Sequence, residues 1–150
     1  MDSQQQRKDE VFAELRARAH EVSTRAYAPY SGYRVGAAAM STSGRVVTGC
    51  NVENAGYGNT LCAECGLVSE LVARGAGQLE QFVCVNGSGE VIMPCGRCRQ
   101  LIAEHASNSF VILTPHGEHG LDGLLPQAFG QQDLASAPSS TATVKDHNHD

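Results

Sequence analysis

Four of the six cysteines form two C-x-x-C pairs, Cys62 with Cys65 and Cys95 with Cys98. Thiolates at such spacing are ligands for zinc, which takes four in a closed structural site and three plus an open position in a catalytic one. Cys95 and Cys98 lie three apart at an expected helix start and so share one face. The helix N-terminus adds positive potential that favours their thiolate forms. Cys62 sits at the start of another expected helix with the same advantage. Two arrangements fit the cysteines. All four could close a structural site, or three could leave a position open for water. Glu64, between Cys62 and Cys65, favours the second, because a carboxylate beside an open zinc site can carry protons during hydrolysis. A glutamate at a helix start is otherwise explained by the helix dipole alone. Cys50 and Cys84 stand singly among apolar neighbours and read as small packing groups.

The elements that must hold these residues follow from periodicity. Residues 1–8 read as a flexible polar N-terminus. Val11, Leu15, Arg18 and Val22 recur at helical spacing, predicting a helix over 9–27 that stops before Pro29. Two strands, 34–42 and 45–51, are joined by a turn at Ser43-Gly44, and a Gly- and Asn-rich loop follows at 53–60. Asn59 or Thr60 would cap a second helix with the stripe Leu61, Cys65, Val68, Leu71 and Val72, ending at Arg74-Gly75. Strands at 80–86 and 90–93 precede a third helix opened by Pro94, and a last strand spans 109–114. Residues 135–150 lack large apolar side chains and read as a disordered tail, which leaves 9–134 as the folded domain. This order of elements predicts an α/β domain, one mixed sheet covered by helices.

The 150 residues make one domain, and 41% hydrophobic with 18% charged residues fits neither a disordered polyelectrolyte nor a membrane protein. The start is polar, without a secretory apolar stretch, so a cytoplasmic location with reduced thiols is expected. Eleven Lys and Arg against sixteen Asp and Glu give a net charge of −5. No basic stripe exists to neutralise phosphates, so nucleic acid is not an expected partner. A small uncharged nucleoside is a better match.

The run Cys62-Ala63-Glu64, followed by Pro94-Cys95-Gly96-Arg97-Cys98, has the arrangement of the zinc nucleoside and base deaminases. More narrowly, the chain resembles the small homotetrameric cytidine deaminases. The matching segments occur in order: Tyr27–Ser31, Arg34–Ala38, Gly49–Gly58 and Leu124–Gly130, so the likeness extends over residues 20–134. The resemblance implies a three-layer α/β/α sandwich with a mixed five-stranded sheet. It implies hydrolysis of cytidine and 2′-deoxycytidine to uridine and 2′-deoxyuridine with release of ammonia, in pyrimidine salvage. One zinc ion per chain would be held by Cys62, Cys95 and Cys98 with water as fourth ligand, and Glu64 would move the protons. Asn51 and Glu53 would hydrogen-bond the ribose 3′-hydroxyl, and Tyr33 would lie near the base. Tyr57 would touch the substrate from the Gly-rich loop. Phe129 would stack over the base in a neighbouring subunit's site, which makes a homotetramer part of the active site. Neither nucleic acid nor a membrane is implied as a partner.

One position departs from the commoner pattern, where Arg follows the Glu; here it is Cys65. Three thiolates on a divalent ion leave a net negative charge that opposes ionisation of water. Arg97, or else Arg99, is expected to offset it. Two alternatives stay open: a blasticidin-S-type deaminase, and a non-catalytic four-cysteine zinc module.

Overall fold

The computed structural model describes residues 2–136. The first element, α1 (Ser3–Ser23), begins six residues earlier than its apolar periodicity predicts. Asp2 supplies the reason: its Oδ1 accepts the Gln4 backbone N–H at 3.3 Å and caps the helix. Residues 3–8 are therefore helical rather than frayed. The buried face of α1 carries Phe12, Leu15, Ala19 and Ser23. Helix ends at Ser23 because the chain must turn extended: Tyr27 pairs with Val52 in a parallel bridge.

β1 (Val35–Ser41) and β2 (Val46–Cys50) form the expected hairpin. α2 (Ala63–Ala73) has Cys62, not Asn59 or Thr60, at its N-cap position, with no side-chain capping bond. Residues 57–59 instead make one 3-10 turn, and Leu61 exchanges two backbone hydrogen bonds with Val52, both 2.9 Å, which keeps the chain extended up to Cys62. The inward face of α2 is Ala63, Glu64, Leu67, Val68 and Leu71. Leu61 and Val72, assigned to that stripe from spacing, are exposed. A helix beginning at Ala63 turns Leu67 and Leu71 inward instead.

β3 (Leu79–Asn86), β4 (Val91–Ile92), α3 (Gly96–His105) and β5 (Ala106–Thr114) follow. The chain continues through β6 (Gly117–His119) and two short helices, α4 (Leu121–Leu124) and α5 (Gln131–Ala135). The expected tail beyond Ser136 lies outside the described residues. The sheet runs β2-β1-β3-β5-β6, with β4 added alongside β3 as a sixth strand. β3 and β5 are parallel and the other pairs antiparallel, so the sheet is mixed.

Side chains alternate across the sheet and feed two cores. Ala38, Val83 and Val85 meet Phe12, Leu15 and Ala19 of α1. Ala37, Ala39, Phe82 and Cys84 meet Leu67 and Leu71 of α2 and Ile102 of α3. The result is the three-layer α/β/α sandwich, with α1 on one face and α2 beside α3 on the other. No helix among the described residues is long and apolar enough to cross a membrane.

Candidate active site

α2 and α3 each follow a strand whose end lies at the same rim of the sheet, and their N-termini converge there. Cys62 and Cys95 occupy the two N-cap positions, both with extended backbone. Their Sγ atoms are 4.0 Å apart. Cys98, in the first turn of α3, completes a group whose three sulfurs all lie within 4.8 Å of one another. That is the donor set a tetrahedral zinc takes when one position stays open. Cys65 is not part of the group, so the closed four-cysteine arrangement is not the one formed.

The three thiols hold their protons unequally. Burial pushes the Cys62 thiol up, although Cys98 donates to it. Burial also raises Cys98, with the Glu64 charge adding to it. At Cys95 desolvation is outweighed by hydrogen bonds from the Cys98 backbone N–H and from the two neighbouring thiols, so its thiol lies below the ordinary value. A metal ion entering this group must displace protons.

Glu64 is only 3% exposed yet lines the cleft in front of the sulfurs. The cleft has a volume of about 310 Å³, and Tyr33, Asn51, Leu61, Ile92 and Met93 also form its walls. Beneath it Cys84, which spacing assigns to packing, is fully buried and donates its thiol to the Ile92 carbonyl at 3.1 Å. Burial and the Glu64 carboxylate beside it push that thiol up, so it stays protonated. Cys50 is half-buried at the end of β2.

Asn51 and Glu53 follow β2; Asn51 lines the cysteine cleft and Glu53 a neighbouring hollow. Asn51 Oδ1 accepts the Val35 N–H at 2.8 Å, and its Nδ2 donates to the Tyr33 carbonyl at 2.8 Å. Glu53 Oε1 accepts the N–H groups of Tyr30 and Ser31 at 2.9 and 3.1 Å. Its Oε2 accepts the Ser31 hydroxyl at 2.5 Å. These bonds, the Ser31 hydroxyl foremost, hold the Glu53 carboxyl below its ordinary range. Glu53 lines a second hollow of about 410 Å³ with Tyr30, Ser31, Asn54, Tyr57 and Thr60, and Thr60 also borders the cysteine cleft. Tyr57 is 78% exposed and meets Tyr30 edge to face, ring centroids 6.2 Å apart.

Two residues singled out by sequence lie elsewhere. Phe129 is exposed and lines neither hollow; Gln100 Nε2 donates to its carbonyl at 2.9 Å at the edge of a different depression. Arg97 is exposed, and neither it nor Arg99 makes a hydrogen bond to a cysteine among the described residues. Arg99 instead donates to the Pro94 and Leu124 carbonyls at 3.0 and 3.4 Å, tying α4 to the start of α3. The expectation that Arg97 offsets the thiolate charge therefore has no contact behind it, because its position on α3 faces solvent. Sequence reasoning missed Ser31, Ile92 and Met93. Ser31 falls within a matched segment, and Met93 directly precedes Pro94; those were the available signals.

Residues 9–114 match the family model described as the cytidine and deoxycytidylate deaminase zinc-binding region. The chain is 52% identical over 120 residues to a cytidine deaminase from Mycobacterium tuberculosis, covering 80% of this chain and 90% of that protein. It is 34% identical over 128 residues to a cytidine deaminase from Sporosarcina psychrophila, covering 82% and 94%. The crystal structure of the Mycobacterium tuberculosis cytidine deaminase superposes with a TM-score of 0.76 at 51% identity, covering 79% of this chain and 97% of that one. That of the Mycobacterium leprae cytidine deaminase gives 0.75 at 47%, covering 77% and 98%. With one zinc site formed by Cys62, Cys95 and Cys98 at the meeting of two helix N-termini, the chain belongs to the cytidine and deoxycytidylate deaminase family.

Proposed function

We propose that this protein is a zinc-dependent hydrolase that converts cytidine and 2′-deoxycytidine to uridine and 2′-deoxyuridine with release of ammonia. The observation that carries the reading is the buried Glu64 beside three, not four, clustered sulfurs. Cys62, Cys95 and Cys98 would hold the zinc ion, which when bound would supply Lewis-acid activation of water. Glu64 would take up a proton on its carboxylate and deliver protons to the ring nitrogen and to the departing amine. The apolar walls at Leu61, Ile92 and Met93 shield this transfer from bulk solvent. Tyr33 stands in the wall where the base would lie. Asn51 keeps one N–H free after its bond to Tyr33, and Glu53 keeps acceptor capacity; both are read as partners of the ribose 3′-hydroxyl. Tyr57 is read as a further substrate contact at the outer hollow.

Phe129, exposed and not part of the lining of its own chain's cleft, is read as completing the cleft of a neighbouring subunit. This makes the working unit a homotetramer. Residues 9–134 are read as the deaminase domain, acting in the cytoplasm in pyrimidine salvage on a nucleoside, not on a nucleic acid. Among the described residues no contact of Arg97 supports a charge role at the thiolates.

The test is ammonia release from cytidine by zinc-loaded protein, run beside Glu64→Gln at matched zinc content. Loss of an acid–base group costs about 10²–10⁴-fold or more in turnover, with zinc content unchanged. Full activity in the variant would overturn the reading. Inactivity of both toward cytidine, with turnover of blasticidin S by the parent alone, would move the assignment to that related cytosine ring.

A further inference from the structure

The two side chains read above as ribose partners are not independent. Glu53 Oε2 accepts the Ser31 hydroxyl at 2.5 Å, and Ser31 Oγ accepts the Tyr33 N–H at 3.0 Å. The Tyr33 carbonyl accepts Asn51 Nδ2 at 2.8 Å, and Asn51 Oδ1 accepts the Val35 N–H at 2.8 Å. A single hydrogen-bonded chain thus runs from Glu53 through Ser31 and Tyr33 to Asn51. We propose that Ser31 is a positioning residue for nucleoside recognition: its hydroxyl sets the rotation of the Glu53 carboxylate and locks it to Tyr33 and Asn51. The proposal rests on the ribose reading given above and adds a residue to it.

Three observations carry it. First, a glutamate's terminal torsion is broad and roughly two-fold. The backbone N–H groups of Tyr30 and Ser31 hold only Oε1, so Oε2 would swing without a second anchor. Second, Ser31 uses both of its capacities. Accepting the Tyr33 N–H is ordinary turn chemistry, a hydroxyl bonding the backbone two residues on. Donating to a carboxylate 22 residues away does nothing for that turn. Third, the geometry depends on Gly32, whose φ of +69° folds the chain back so that Tyr33 N–H reaches Ser31 Oγ. A carboxylate has about four acceptor sites, and three are taken here. Ser31 therefore decides where the remaining one points.

The test compares parent, Ser31→Ala and Ser31→Thr, zinc-loaded and full length, on cytidine and on 3′-deoxycytidine. Ser31 is exposed, so neither substitution disturbs the core. Ser31→Ala is expected to raise KM for cytidine about tenfold, the scale of one charge-assisted hydrogen bond, with kcat within about twofold. Ser31→Thr, which keeps the hydroxyl, restores the parent KM. On 3′-deoxycytidine the parent is already impaired and Ser31→Ala costs nothing more. An equal loss on both substrates, an unchanged KM, or failure of Thr to rescue overturns the role of Ser31 while leaving the ribose reading intact. A parent that handles both substrates equally well overturns the ribose reading itself and the role of Ser31 with it.

Discussion

Gly49 in β2 lies so close to the first turn of α2 that a Cβ placed on it would sit 2.2 Å from the carbonyl oxygen of Ala63. The same Cβ would sit 2.5 Å from the Leu67 nitrogen. Both obstacles are backbone, which cannot step aside as a flexible side chain would. Ala63 lies between Cys62 and Glu64, so the depth at which α2 seats on the sheet is also the depth of a metal ligand and of the Glu64 carboxylate.

Gly49→Ala is therefore expected to lower stability by about 1–3 kcal/mol, the range for overpacking, and to weaken zinc retention as well. Denaturant unfolding and zinc content after dialysis report the two effects. A variant that loses stability but keeps zinc as tightly as the parent would uncouple Gly49 from the site.

Zinc affinity is expected to strengthen as pH rises. Burial holds the Cys62 and Cys98 thiols above their ordinary values, so binding must expel their protons. Two expelled protons raise apparent affinity by up to about a hundredfold per pH unit. Competition with a chelator of known pH dependence, from about pH 6 to 8, measures this. A flat dependence would mean the thiols are already ionised. Chelation at fixed pH should lower the unfolding temperature, and zinc should restore it.

The Glu53 carboxyl is expected to titrate below 4.5, its ordinary value. Its pKa is depressed on folding, so its contribution is present above the unfolded value and is lost as pH falls through the folded one. The turn at residues 30–33 should loosen only in that acidic window. Carbon-13 NMR of the Glu53 carboxyl reads the midpoint directly. In Ser31→Ala the midpoint should move upward, because the Ser31 hydroxyl is the largest cause of the shift. A midpoint that ignores the substitution would separate Ser31 from Glu53.

Phe129→Ala and Glu64→Gln are each expected to be poorly active alone, yet a mixture refolded together should regain part of the activity. If Phe129 completes a neighbouring subunit's cleft as proposed, an intact Glu64 from one chain would meet an intact Phe129 from another in mixed assemblies. Activity of the mixture equal to the sum of its parts would confine Phe129 to its own chain.

Much of the chemistry was legible in one dimension because it depends on short spacings. Cys95 and Cys98 are three apart on a helix, and Glu64 is two from Cys62; local geometry alone sets them at helix starts. The hairpin of β1 and β2 and the end of α2 at Arg74 were readable for the same reason, since turn and cap residues act within a few positions. Helix beginnings were less so. α1 starts at an N-cap Asp2 that no apolar stripe marks, and α2 waits for Cys62 because Leu61 is held by Val52, nine residues earlier in the chain.

What spacing left open was settled by packing. Cys62 and Cys95 are 33 residues apart in sequence, and they meet because sheet order and the close seat at Gly49 bring two helix starts to one rim. Cys65, only three residues from Cys62, stays out of the group. The bond from Ser31 to Glu53 and the absence of Phe129 from the lining of its own cleft belong to the same class of fact. Residue types and local turns specify which groups are present and on which helix end. Which of them touch depends on strand register and on how closely backbones approach, and those are properties of the folded chain as a whole.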